Sequence, residues 1–233
     1  MALDAVLAAI DAVAWRGIPD HSGFYAPESA QEGLRALALA TALPIAAAAA
    51  ARLEGGGVLH DHSGVLLPAA APAAPILLSI AEHGHPKAQG TAIVVLSDCL
   101  GLSPYAKDDR WDGLPLCCAV AAPVQAAAHV VLTQGEDGRK LPRSAAAHWR
   151  LQVAEWAPDG ADVLVVGSLA GRLPSDRLTV EVPASGRAAA QVGEGVREAA
   201  GEGSALLRLR GLTAGHVRTG AVLCGACCAE KGV

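Results

Sequence analysis

Two histidine pairs stand at chelating spacing, His60-Asp61-His62 and His83-Gly84-His85. On an extended segment alternate residues face one way, so each pair offers two ring nitrogens to one ion. Four such nitrogens would suit zinc, nickel or copper, and Asp61 would add an oxygen or a supporting hydrogen bond. The competing reading places both pairs in turns between helices. His83-Gly84-His85-Pro86 reads as a helix stop followed by a helix start.

Acid–base chemistry has its own candidates. Histidine is the common acid–base side chain near neutral pH, and His21, His60 and His62 lie beside Asp20 and Asp61. If the turns at His21 and His60 meet at one end of a helical stack, they form a polar pocket lined by Trp15 and Tyr25. In that reading His21, His60, Asp61 and His62 carry the chemistry. In the other, Trp15 fills the core and the histidines bond loop carbonyls. Ser63 beside His62 makes no triad, since sequence neighbours rarely present their side chains together. Cys224-Gly-Ala-Cys227-Cys228 holds one C-x-x-C, without the second pair that a zinc ribbon needs. No G-x-x-x-x-G-K-[ST] occurs, which excludes a phosphate-cradling loop of that type and the GTP hydrolysis it serves. Asp108-Asp-Arg-Trp-Asp112 gathers charge around Trp111 and reads as a solvated loop, with Trp111 as a binding anchor if exposed.

These residues need a frame, and the composition supplies one. Of 233 residues, 52% are hydrophobic and 18% charged, the reverse of the disordered signature. A net charge of -5 argues against a protein built to bind phosphate backbones, DNA above all. The longest apolar stretch, residues 36–53, is alanine-rich and broken by Pro44, so it reads as buried helix and not as a membrane span. The first thirteen residues carry acids where a secretory signal would carry Lys or Arg, so a cytoplasmic location is expected.

Charge and pattern divide the chain. Residues 1–135 hold 6 Lys and Arg against 12 Asp and Glu, a balance of -6, and residues 136–233 balance at +1. The first part has helical spacing. Leu3, Val6, Leu7 and Ile10 share one face, and helices are predicted over 28–42 with Leu34, Leu37 and Leu39 inward, then 45–53, 72–82 and 86–100, with one or two more over 114–132. The second part has short strand-like runs at 148–156, 161–169, 177–182, 188–192, 204–210 and 220–224, which suggests a small closed β-barrel. The polar stretch 135–147, with two glycines and a proline, reads as a linker. The expected division is 1–134 helical domain, 135–147 linker, 148–226 barrel and 227–233 tail. The fold class is α+β, with more than one domain.

Two resemblances join these readings. Trp15-Arg-Gly-Ile-Pro-Asp-His21-Ser-Gly23 and His60-Asp-His62-Ser-Gly64-Val-Leu-Leu-Pro, followed by an Ala/Pro run, resemble actinobacterial HEAT-like repeat proteins, with Ser22 and Ser63 in place of that family's Tyr and Gln. Asp162-Val-Leu-Val-Val-Gly-Ser-Leu-Ala-Gly171, Ser175-Asp-Arg-Leu-Thr-Val-Glu-Val182 and Gly203-Ser-Ala-Leu-Leu-Arg-Leu-Arg-Gly-Leu212 resemble domain 2 of elongation factor Tu and related translational GTPases. His216-Val-Arg-Thr-Gly-Ala-Val-Leu223 extends that likeness, while Pro158-Asp-Gly160 replaces the family's Gly-Arg-Gly turn. The first resemblance implies a HEAT-like scaffold with a binding surface. The second implies a barrel that docks other domains or holds an RNA end.

Three functions follow as expectations. The first is a non-enzymatic docking or accessory protein, of immunity type by analogy, that binds a protein partner through both parts and uses no cofactor. The second is a small-molecule or metal-dependent enzyme at the His21, His60 and His62 turns. The third has the barrel binding RNA, with its arginines gathered on one face.

Overall fold

The computed structural model describes residues 2–105, 107–174, 177–183, 186–192 and 203–225. The chain is of mixed α+β class and divides into two compact units that meet in sequence at Ala145 and Ala146. Among the described residues no helix is long and apolar enough to cross a membrane.

The first unit is helical. α1 (Ala2–Ala12) is followed by a 3-10 turn at Trp15–Gly17, then α2 (Pro27–Ala38) and α3 (Leu43–Glu54). α4 (Ala70–His83) and α5 (Pro86–Gly101) form the next pair, and α6 (Leu116–Ala126), α7 (Ala128–Leu132) and α8 (Gly135–Ala146) complete it. α2 packs on α3 and α4 on α5, with α3 against α5 and α1 across α2 and α4. Leu34, Leu37, Leu53, Leu77, Ile80, Ile93 and Leu96 fill the core at these crossings. Proline stands in the first turn of α2, α3 and α5, where its missing N–H costs nothing.

Short strands close one end of this unit. β1 (Leu59–His60) pairs antiparallel with β2 (Val65–Leu66), and β2 pairs parallel with β3 (Ser103–Pro104). β4 (Arg110–Trp111) and β5 (Leu114–Pro115) make a tight hairpin. Its two-residue turn, Asp112-Gly113, has both φ angles positive, at 48° and 79°, the backbone that an Asp-Gly hairpin adopts.

Several expectations are corrected here. Val6 and Ile10 are buried as foreseen, but Leu3 at the helix end is exposed. Leu39 is 54% exposed, because α2 ends at Ala38 and the residue caps the helix outside its packed face. Pro44, read as a break in the alanine-rich stretch 36–53, stands in the first turn of α3. The stretch 135–147, read as a linker, is mostly α8. Gly138, Leu141 and Ala145 recur at helical spacing and are buried, and Glu136 pairs with Lys140 one turn on. Gly138 is needed for packing: a Cβ there would overlap the Val131 carbonyl oxygen. The glycines that suggested a linker therefore allow a helix to seat closely.

The second unit is a closed six-stranded barrel. Its strands are β6 (Arg150–Asp159), β7 (Asp162–Ala170), β8 (Arg177–Val182), β9 (Gly186–Val192), β10 (Ser204–Leu209) and β11 (Val222–Gly225). Around the barrel they run β10-β7-β6-β11-β8-β9, every neighbouring pair antiparallel. These are the six runs read from the sequence, each within two or three residues at its ends. Val163, Val165, Val180, Leu207, Leu209 and Leu223 alternate inward and, with Trp149, Leu151 and Val153, form the barrel core. Cys224 lies buried in β11, while Cys227 and Cys228, which complete the C-x-x-C, lie outside the described residues.

Candidate functional site

The end of the helical unit closed by the short strands gathers most of the residues singled out for chemistry. Three loops meet there. The first, 18–26, leads into α2. The second is the β1–β2 connection, a 3-10 turn over Asp61–Ser63 closed by Gly64 at φ 66°. The third runs from β3 to β5.

Asp20 organises the first loop. Its Oδ1 accepts from the Ser22 amide and hydroxyl, and its Oδ2 from the amides of Gly23 and Tyr25. The Tyr25 hydroxyl donates to the Trp15 carbonyl at 2.9 Å, and Trp15 Nε1 donates to the Ile10 carbonyl at 2.8 Å. Trp15 is buried, so it is core and not the lining of an open site. Burial raises the Tyr25 phenol well above its ordinary range, with Glu28 and then Asp20 adding to the effect.

The first and third loops are joined by a contact between residues 87 positions apart. The Asp108 side chain, 2% exposed, takes the His21 backbone N–H on Oδ2 at 2.8 Å and His21 Nδ1 on Oδ1 at 2.5 Å. The His21 side chain itself is 55% exposed. The charged segment 108–112 is therefore no simple solvated loop: its first carboxylate is an internal clamp. Trp111, read as a binding anchor, is half-buried on β4 beside that clamp.

The first and second loops are joined by stacking. The Phe24 ring lies on the His60 ring with centroids 4.4 Å apart and planes 11° apart, and His62 meets His60 edge-on at 6.1 Å. His60 Nδ1 lies 2.7 Å from Ser63 Oγ, and Asp61 accepts the His62 amide. The two serines nearest in sequence thus engage Asp20 and His60, and neither engages His21. His21 and His60 are brought to one end of the stack, each with its Nδ1 already committed to a local partner.

The two histidine pairs are not brought together. His60 and His62 precede α4, whereas His83 ends it and His85 caps α5 by accepting the Lys87 amide. α4 has 14 residues, so the pairs are about 20 Å apart along its axis. Metal–nitrogen bonds of about 2 Å cannot span that gap, and the four-nitrogen site is ruled out by the length of the helix.

Carboxylates crowd the same end. Glu54 at the end of α3 is raised above its ordinary value of 4.5, first by burial and then by the charges of Asp98 and Asp61. Asp98 on α5 is raised by burial. Ionised Glu54 is thus penalised in the folded chain only. The Glu54 contribution to stability should rise as pH falls from neutral through the raised folded value, and level off below the ordinary one. Glu54→Gln should accordingly raise the melting temperature at pH 7, and thermal melts should show that advantage vanishing below about pH 4.5. An equal gain at every pH would contradict the electrostatic cause.

Phe24 and Asp108 are the members that sequence reasoning did not single out for this site. Phe24 had one signal, being the sole phenylalanine in the chain and next to the His21 turn. Asp108 had none, since a contact across 87 residues leaves no local pattern. No family model, no curated protein and no solved structure matches this chain.

Proposed function

We propose that the chain is a non-enzymatic docking protein whose helical unit engages a protein partner through its strand-closed end. The observation that carries this reading is the Phe24–His60 stack, because Phe24 remains 39% exposed while its loop is clamped by Asp20 and Asp108. Rings that are already held in place lose little freedom on binding, and a few aromatic anchors dominate most interfaces. His62, with its side chain 88% exposed, and half-buried Trp111 extend the surface. The likeness to HEAT-like proteins, which are mostly binding scaffolds, supports the same reading, and the likeness to a translation-factor barrel supports a second docking surface in the other unit. The charge balance of -6 over residues 1–135 favours a basic partner. A cytoplasmic setting belongs to the same proposal.

The test is a photo-crosslinking amino acid placed at position 62, with position 85 as the control, in cells of the native host. We expect a discrete protein adduct at position 62 that disappears with Phe24→Ala, and none at position 85. An adduct that survives Phe24→Ala, or equal adducts at both positions, would sink the reading.

A further inference from the structure

The exterior of the barrel carries a feature that docking by the helical unit does not use. In register, Arg177 on β8 stands opposite Gln191 on β9, and Gln191 stands opposite Arg208 on β10. The three side chains therefore form one row across adjacent strands. Their neighbours Ala190 and Leu209 are buried in the core, so strand alternation sends the row outward. Arg210 joins it from the end of β10, with Nη2 donating to Gln191 Oε1 at 2.6 Å. Arg208 is steadied by Asp159 Oδ2 at 2.7 Å.

We propose that this row is a binding site for a compact oligophosphate, a ligand of two or three linked phosphoryl groups. Guanidinium forks match phosphoryl oxygens with paired N–H donors, which an ammonium does not. The amide oxygen of Gln191 is occupied by Arg210, so what Gln191 has left to offer is its NH2 group. The Gln191 amide and the three guanidinium groups then lie on one outward patch, with Arg208 shared with Asp159. Neighbouring strands lie about 4.8 Å apart, which sets Arg177 and Arg208 about 10 Å apart across Gln191. That span suits a short phosphate chain. A long polyanion is disfavoured, because Leu164 follows Arg208 on the row and the protein as a whole carries -5. The site is independent of the Phe24 surface and stands or falls without it.

Calorimetric titration of the full chain with sodium tripolyphosphate at low ionic strength tests the proposal. One ligand per chain is expected, with affinity falling with added salt and weakened about tenfold or more by Arg177→Gln and by Arg210→Gln. Arg218→Gln, on exposed surface outside the row, should leave it unchanged. Should a variant fold poorly, the Gln191 side-chain amide signals in wild-type protein give a second readout, since tripolyphosphate should shift them. Absence of both heat and shift would overturn the proposal, as would unchanged binding in the two row variants. Tighter binding of a twelve-nucleotide oligouridylate through the same arginines would overturn it in favour of a strand-binding face.

Discussion

Asp108→Ala should destabilise the helical unit by about 3 kcal/mol, because two hydrogen bonds to a buried carboxylate are lost together. Bonds to charged groups are worth about 1.5–3 kcal/mol each, and the exposed His21 ring recovers part of the loss by rehydration. In a chain of this size that corresponds to a fall in melting temperature of about 6–12 °C. His21→Ala should cost about 2 kcal/mol by a different route, leaving the carboxylate buried with the backbone N–H as its remaining His21 contact. Since each substitution breaks the same contact, the double variant should be little worse than Asp108→Ala alone, a coupling of about 2 kcal/mol. Far-UV circular dichroism melts of the four proteins complete the cycle. Simple additivity would show that the two side chains act separately and that the clamp is not the source of the loss.

That contact also marks the boundary of what the sequence discloses. The barrel was legible because its signal is local. In β10, Ala205, Leu207 and Leu209 alternate with Ser204, Leu206 and Arg208, and the alternation alone states which side faces in. The helices were legible for the same reason, with Leu34 and Leu37 buried at helical spacing in α2 and Ala46, Ala49, Ala50 and Leu53 in α3. α8 was missed because its inward face uses Gly138 and Ala145, small residues that leave almost no hydrophobic signal, beside Gly135 and Pro142, which signal a break. The strand-closed end was half legible. His21, His60 and His62 could be named by residue type, and the two turns do stand together through the Phe24–His60 stack. Which atoms they engage depends on Ser63, Asp108 and Phe24, and a single sequence has no term for contacts made across loops. The four-histidine metal site failed on geometry the sequence already held, namely the helix between the pairs.

Gly167→Ala should be the most damaging single-methyl addition in the barrel. Gly167 sits in β7 opposite Val153 and Ala205, beside the irregularity in β6 between Val153 and Glu155. A Cβ at Gly167 would overlap the Gln152 carbonyl oxygen and lie 2.8 Å from its carbon and 3.1 Å from Val153 Cα. All three are backbone atoms, so no side chain can swing aside, and the strand pair itself must separate. Extra methyl groups in packed interiors cost about 1–3 kcal/mol when neighbours can adjust, so about 3 kcal/mol or more is expected here. Gly33→Ala provides the comparison. Its Cβ would meet Leu53 Cδ2 at 2.8 Å and Cγ at 3.0 Å, side-chain atoms that can shift where backbone cannot, and the smaller end of that range, about 1 kcal/mol, is expected. Hydrogen exchange should locate the damage as well as measure it. The Val153 amide, which donates to the Ala221 carbonyl, and the Gly220 amide, which donates to the Val153 carbonyl, should lose protection in Gly167→Ala and keep it in Gly33→Ala. If Gly167→Ala melts like wild type with those amides still protected, β6 and β7 are not held as closely as the register requires, and the barrel seam would have to be drawn elsewhere.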